Sequence, residues 1–221
     1  MKKGFFLSVI AMWMLSMVLV SCKDDDNDPS PTAYDDSDQV YATQGDENSC
    51  GAYSMAYYLA KTKQIEIGEI ADKAKEFYSI VQFDKNVGFD SYSDPVKIKN
   101  EIAKYASKAE LKMVKNQSTD GEKLLGMLAE YLQITDVTPI DNIEGALATN
   151  QFVIEIVVPH NQVDLENPTK NTLHYVLTFW KNGKLYTRDP GRGTEVLRSD
   201  FIDGTLKNWN FCEGGIFVTP K

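Results

Sequence analysis

The sequence predicts an α+β fold, with helices in the first half of the chain and an antiparallel sheet in the second. Three observations carry this. Between residues 50 and 132 apolar residues recur at helical spacing, with charged residues between them. From residue 152 onward the apolar runs are short, alternating and rich in β-branched and aromatic residues. Asn182-Gly183 stands between two of these runs and is a strong hairpin signal. Helices followed by strands is the α+β order. No internal repeat and no Pro- or Gly-rich linker divides residues 41–221, so one domain is expected there.

The elements follow in chain order. Lys2 and Lys3 precede an apolar run over residues 4–20, and charges follow at once. A signal peptide over residues 1–21 has this shape. An uncleaved anchor is the alternative, but the run is short for a spanning helix. Residues 22–40 are rich in Asp, Pro and Ser and read as a flexible acidic tether. Residues 50–62 carry Ala52, Met55, Ala56, Leu59 and Ala60 at helical spacing, and residues 66–78 carry Ile67, Ile70, Ala74 and Phe77. Asp94-Pro95 opens a third helix, with Pro in the first turn and Val96, Ile98, Ile102, Ala103 and Ala106 apolar. Residues 120–132 repeat Leu124, Leu125, Leu128 and Leu132, and a short helix is expected over 142–149. Strands are expected over 152–158, 172–180, 184–188 and 215–219.

Charge and composition exclude several functions. The chain of 221 residues has 43% hydrophobic residues, enough for a folded core. It carries 23 basic and 32 acidic side chains, a formal net charge of −9, which argues against a nucleic-acid partner. With two His and no paired-Cys motif, no metal site is expected. Asp189-Pro190-Gly191-Arg192-Gly193 lacks the phosphate-loop pattern, and no cofactor is expected.

The chemistry centres on Cys50. Asn48 and Ser49 are capping residue types just before an apolar periodic run, so Cys50 falls in the first turn of a helix. There the helix dipole favours the thiolate, which is the nucleophilic form. Gly51 and Ala52 are small and are expected to leave room for a substrate backbone. Gln44, six residues upstream, brings a side-chain amide that can donate to a developing oxyanion beside the Cys50 N–H. A thiol hydrolase also needs a base. His160 follows Pro159 in a polar loop, whereas His174 lies in a strand, so His174 is preferred. A two-residue turn at Asn182-Gly183 places Lys181 opposite Lys184 and Asp189 opposite Val176. Asp189 is then a diagonal neighbour of His174 on the same face, able to hold the imidazole in one tautomer. The competing reading of Cys50 is structural. With Cys22 set aside, Cys50 and Cys212 remain, and a disulfide between them is the alternative.

Gln44…Cys50-Gly51, then Leu173-His174-Tyr175-Val176, then Asp189-Pro190 resembles the papain-like cysteine peptidases, most nearly the type that processes bacteriocin leaders. The comparison spans residues 41–219, though three short motifs carry it. It implies a papain-like fold, with a helical lobe bearing Cys50 and a sheet lobe bearing His174 and Asp189. Two features depart from it: those members are usually fused to a transporter, and Gly45-Asp46-Glu47 is unusually acidic beside a thiolate. Leu19-Val20-Ser21-Cys22 resembles a bacterial lipobox, in which Cys22 would be lipidated. Lys23-Asp24-Asp25-Asp26 resembles a surface-export tag of Gram-negative lipoproteins. The expectation is a monomeric, surface-exposed outer-membrane lipoprotein, anchored by lipid and cleaving peptides or proteins. The alternatives are a Cys/His amidase or acyltransferase on cell-wall peptides, and a non-catalytic surface binding protein.

Overall fold

A computed structural model of the chain describes residues 35–45, 48–84, 93–159, 163–201 and 209–221, all within one compact unit. The expected signal peptide, Cys22, most of the tether, the acidic pair Asp46-Glu47 and His160 lie outside the described residues. No described helix is long and apolar enough to cross a membrane.

The architecture is mixed α+β. Its helices are α1 (Cys50–Lys61), α2 (Ile70–Val81), α3 (Pro95–Ile102), α4 (Asp120–Tyr131), α5 (Ile143–Asn150) and a single turn, α6 (Arg198–Asp200). The strands are β1 (Lys108–Val114), β2 (Val137–Ile140), β3 (Phe152–Pro159), β4 (His174–Lys181), β5 (Lys184–Arg188), β6 (Glu195–Leu197) and β7 (Trp209–Thr219). They form one sheet in the order β2-β1-β7-β3-β4-β5-β6.

This corrects the expectation of an antiparallel sheet built from the second half alone. Strands β1 and β2 lie within the stretch expected to be helical, before residue 150, and pair in parallel, with α4 as the connection between them. Strand β1 reads Lys108-Ala109-Glu110-Leu111-Lys112-Met113-Val114, a period of two that puts Ala109, Leu111 and Met113 on one face. Strand β2 contains Pro139, which an edge position tolerates. The expected third helix stops at Ile102, so Ala103 and Ala106 lie beyond it.

Helix α1 is buried at every residue except Tyr53, which fits a helix apolar nearly all round. It packs on one face of the sheet, where Tyr58 meets Phe152 edge-on and Ile154, Leu177, Phe179 and Val218 join the same core. Each such side chain removed from water contributes roughly 1.5–3 kcal/mol. On the opposite face α5 packs Ile143 and Leu147 against Val153 and Phe217, and Val157 and Val176 meet Phe201 and Phe211. That far face also buries Glu155, whose carboxylate accepts from Thr178 at 2.8 Å and from Arg198 at 2.7 Å.

The tether ends earlier than composition predicts. Asp36 is 4% exposed and forms ion pairs with Lys61 and Arg188. Residues 36–44 therefore belong to the folded body.

Candidate functional site

Cys50 is the first residue of α1 and is 2% exposed. Ser49 occupies the cap position but makes no side-chain cap, and its buried hydroxyl has no hydrogen-bond partner among the described residues. The first intrahelical bond runs from the Tyr53 N–H to the Ser49 carbonyl at 3.0 Å. The N–H groups ahead of it are the ones a helix start leaves for an anion.

Gly51 serves a different purpose from the one its size suggests. A Cβ there would lie 2.6 Å from the Ser93 Cβ, 2.7 Å from the Ser93 hydroxyl and 2.8 Å from Ile98. The open side of Gly51 is filled by the start of α3 rather than left for a substrate, and Ala52 is fully buried. The Tyr175 hydroxyl donates to the Ser93 carbonyl at 3.0 Å and ties β4 to the same point.

His174 opens β4, paired with Val157 of β3. The β4–β5 hairpin pairs Lys181 with Lys184 and Leu177 with Arg188, the register that the two-residue turn predicts. Both turn residues are left-handed, Asn182 at φ 51° and Gly183 at φ 71°, as a type I′ turn requires. Asp189 follows Arg188 directly. Its carboxylate Oδ1 lies 2.6 Å from His174 Nε2 and accepts the Gly191 N–H at 2.9 Å. An ionised carboxylate only accepts, so Nε2 carries the proton in this bond and Nδ1 remains for Cys50.

The electrostatics follow from this geometry. Burial opposes a charge on His174, but its hydrogen bond to Asp189 and the hydrogen bond and negative charge of Cys50 outweigh it. The imidazole pKa is pushed up to about 10. Burial pushes Asp189 the other way, yet the His174 bond and charge, the Gly191 N–H and the Arg192 charge hold its carboxyl below the usual range. Together these favour a charged imidazole held between the Asp189 carboxylate and the Cys50 sulfur.

Gln44 is held through its backbone, which donates to the Pro190 carbonyl at 3.0 Å. Its side-chain Oε1 is buried and has no partner among the described residues. Cys50 and Cys212 are both free, and burial raises the Cys212 thiol pKa well above its ordinary value. The bridge that a purely structural Cys50 would form is therefore not made. An apolar crevice lined by Leu111, Leu125, Leu128, Ile156, Leu173 and Tyr175 lies beside the strand that carries His174. Among the described residues no cluster of three or more His, Cys, Asp or Glu is placed to hold a metal ion.

Three residues at the site escaped sequence reasoning. Ser93 sits in a segment with no motif, Tyr57 lies in a predicted helix that gives no hint of its hydroxyl donating to the Ala42 carbonyl at 2.8 Å, and Arg188 reads as an ordinary strand cation. Only the hairpin register carried a signal, since it places Arg188 on the face opposite Asp189.

Comparison with protein-family models, curated proteins and solved structures finds no match for this chain.

Proposed function

We propose that the chain is a cysteine hydrolase of papain-like type that cleaves peptide or protein substrates. One observation carries the reading: His174 is bonded to Asp189 at 2.6 Å and to Cys50, at the start of a buried helix. The Cys50 thiolate attacks a carbonyl carbon. The oxyanion that forms accepts from the Cys50 N–H and the Gln44 amide. The imidazolium of His174 gives its proton to the leaving amine, and the acyl group stays on sulfur. Water then attacks the thioester, with His174 as base, and frees the acid and the thiol. Asp189 holds the ring and stabilises its charge throughout. The lipobox-like junction supports a lipid anchor at Cys22 and a place at the cell surface.

A thiol-reactive hydrolase probe, followed by mass mapping of the intact protein, tests the chemistry. Label on Cys50, lost in His174→Ala, is the expected result. Label confined to Cys212, or equal labelling in His174→Ala, overturns the reading. The anchor has its own test. Cys22→Ser should leave the protein unprocessed or soluble, and unchanged membrane partition would refute lipidation.

A further inference from the structure

The segment 36–44 enters the body at many points. Asp36 pairs with Lys61 of α1 and with Arg188 of β5, the latter at 3.2 Å. The Arg188 guanidinium also donates to the Gln39 and Gly193 carbonyls, each at 2.8 Å, and stacks 3.8 Å from the centre of the Tyr41 ring. The Tyr41 N–H donates to the Gly193 carbonyl at 2.9 Å, and the Tyr41 hydroxyl donates to Asp36. Tyr57 of α1 donates to the Ala42 carbonyl at 2.8 Å, and the Gln44 N–H closes on Pro190. Gly193, at φ +67°, admits the Tyr41 carbonyl where any Cβ would collide with it. The partners of this segment thus fall on the first helix and on the turn that carries Asp189.

We infer that residues 36–44 form a strap that completes the site, with Asp36 and Arg188 as positioning residues that hold Asp189 against His174 and Gln44 beside Cys50. The inference deepens the reading of Cys50, His174 and Asp189 as reacting groups and rests on it. Its logic is electrostatic. The side chains of Lys61, Arg188 and Lys181 are at most 4% exposed, and the buried carboxylates facing them are Asp36 and Glu195. Asp35 also reaches Lys181 but is 66% exposed. Without Asp36, the cations crowd a single buried carboxylate, and the strap loses its anchor. Arg188 is then free to pull its chain neighbour Asp189 out of place. Arg188 touches no substrate; it acts through the Asp189 turn.

The groups that act on His174 are Asp189 from the turn and Cys50 from α1, while Arg192 acts on Asp189. Its titration therefore reports how well Asp189 is placed, and it needs no turnover. With two His in the chain, the ring signals of full-length protein in detergent can be assigned with His160→Gln. The experiment follows the His174 midpoint by NMR in the unaltered protein, Asp36→Asn, Asp36→Glu and Tyr41→Phe. Asp36→Asn is expected to lower the midpoint by roughly one pH unit, the size of one weakened charge partner. Tyr41→Phe, which changes no charge, should lower it less, and Asp36→Glu should restore it. A His174 midpoint unchanged in both folded Asp36→Asn and Tyr41→Phe overturns the strap. If Asp36→Asn does not fold, Tyr41→Phe alone decides. Failure of probe labelling at Cys50 sinks the hydrolase reading instead, so the two failures are distinct.

Discussion

At the scale of the residue, the site rests on the contrast between what burial does to each group and what its partners do. His174 and Asp189 keep their charges because they meet each other. His174→Ala should cost orders of magnitude in kcat/KM while circular dichroism stays native. Asp189→Asn should cost less, because the ring remains but loses its orienting acceptor. Gln44→Ala should lower turnover by roughly a hundredfold, the loss expected for one oxyanion donor. The raised pKa of His174 also has a stability consequence. A base whose folded pKa exceeds its unfolded value adds stability that is full below the unfolded pKa and lost as pH rises through the folded one. That window runs from 6.5 to about 10. Melting temperature should fall across it in the unaltered protein and fall less in His174→Ala, measured by calorimetry at both ends. The sequence pointed to Cys50 and His174 because Cys and His are scarce in this chain, with 3 and 2 residues, and to Asp189 through the hairpin register rather than through rarity. It hid the purpose of Gly51, since nothing in one sequence says that Ser93 lies against it.

At the scale of the element, the hairpin is where sequence reasoning reached furthest. A two-residue turn admits one register, so two residues, Asn182 and Gly183, specified the neighbours of Asp189. Gly183 has open space where a Cβ would sit, so Gly183→Ala tests the backbone alone. The left-handed conformation should cost about 1–2 kcal/mol, read as a lower melting temperature with turnover preserved per folded molecule. A slipped register would instead abolish turnover, because one residue of slip turns every side chain to the other face. Strands β1 and β2 were missed for a physical reason. Lys108, Glu110 and Lys112 interrupt the apolar run of β1, and Pro139 argues against a strand unless that strand is an edge. Helix signals on both sides then claimed the region.

At the scale of the whole molecule, charge pairs hold the folded body together at two buried points: Glu155 with Arg198 on one side of the sheet, and Asp36, Lys61, Arg188 and Glu195 on the other. Glu155→Ala removes one partner and leaves Arg198, among the described residues, with Glu213 and the face of Phe211. Breaking a buried pair in this way costs about 3–5 kcal/mol, which a urea titration would read as a large fall in midpoint. None of these pairings was visible beforehand, because an acidic, Pro-rich stretch has the composition of a solvated tether until its partners are known. The strap also orders events during synthesis. Asp36 and Arg188 stand 152 residues apart in the chain. A growing polypeptide presents Cys50 and Lys61 early, while His174, Arg188 and Asp189 follow more than a hundred residues later. Closure over so long a span is slow relative to local helix formation. Under the proposed function, a chain cut short before residue 174 would keep its thiol and lack both the imidazole and the carboxylate proposed to act on it.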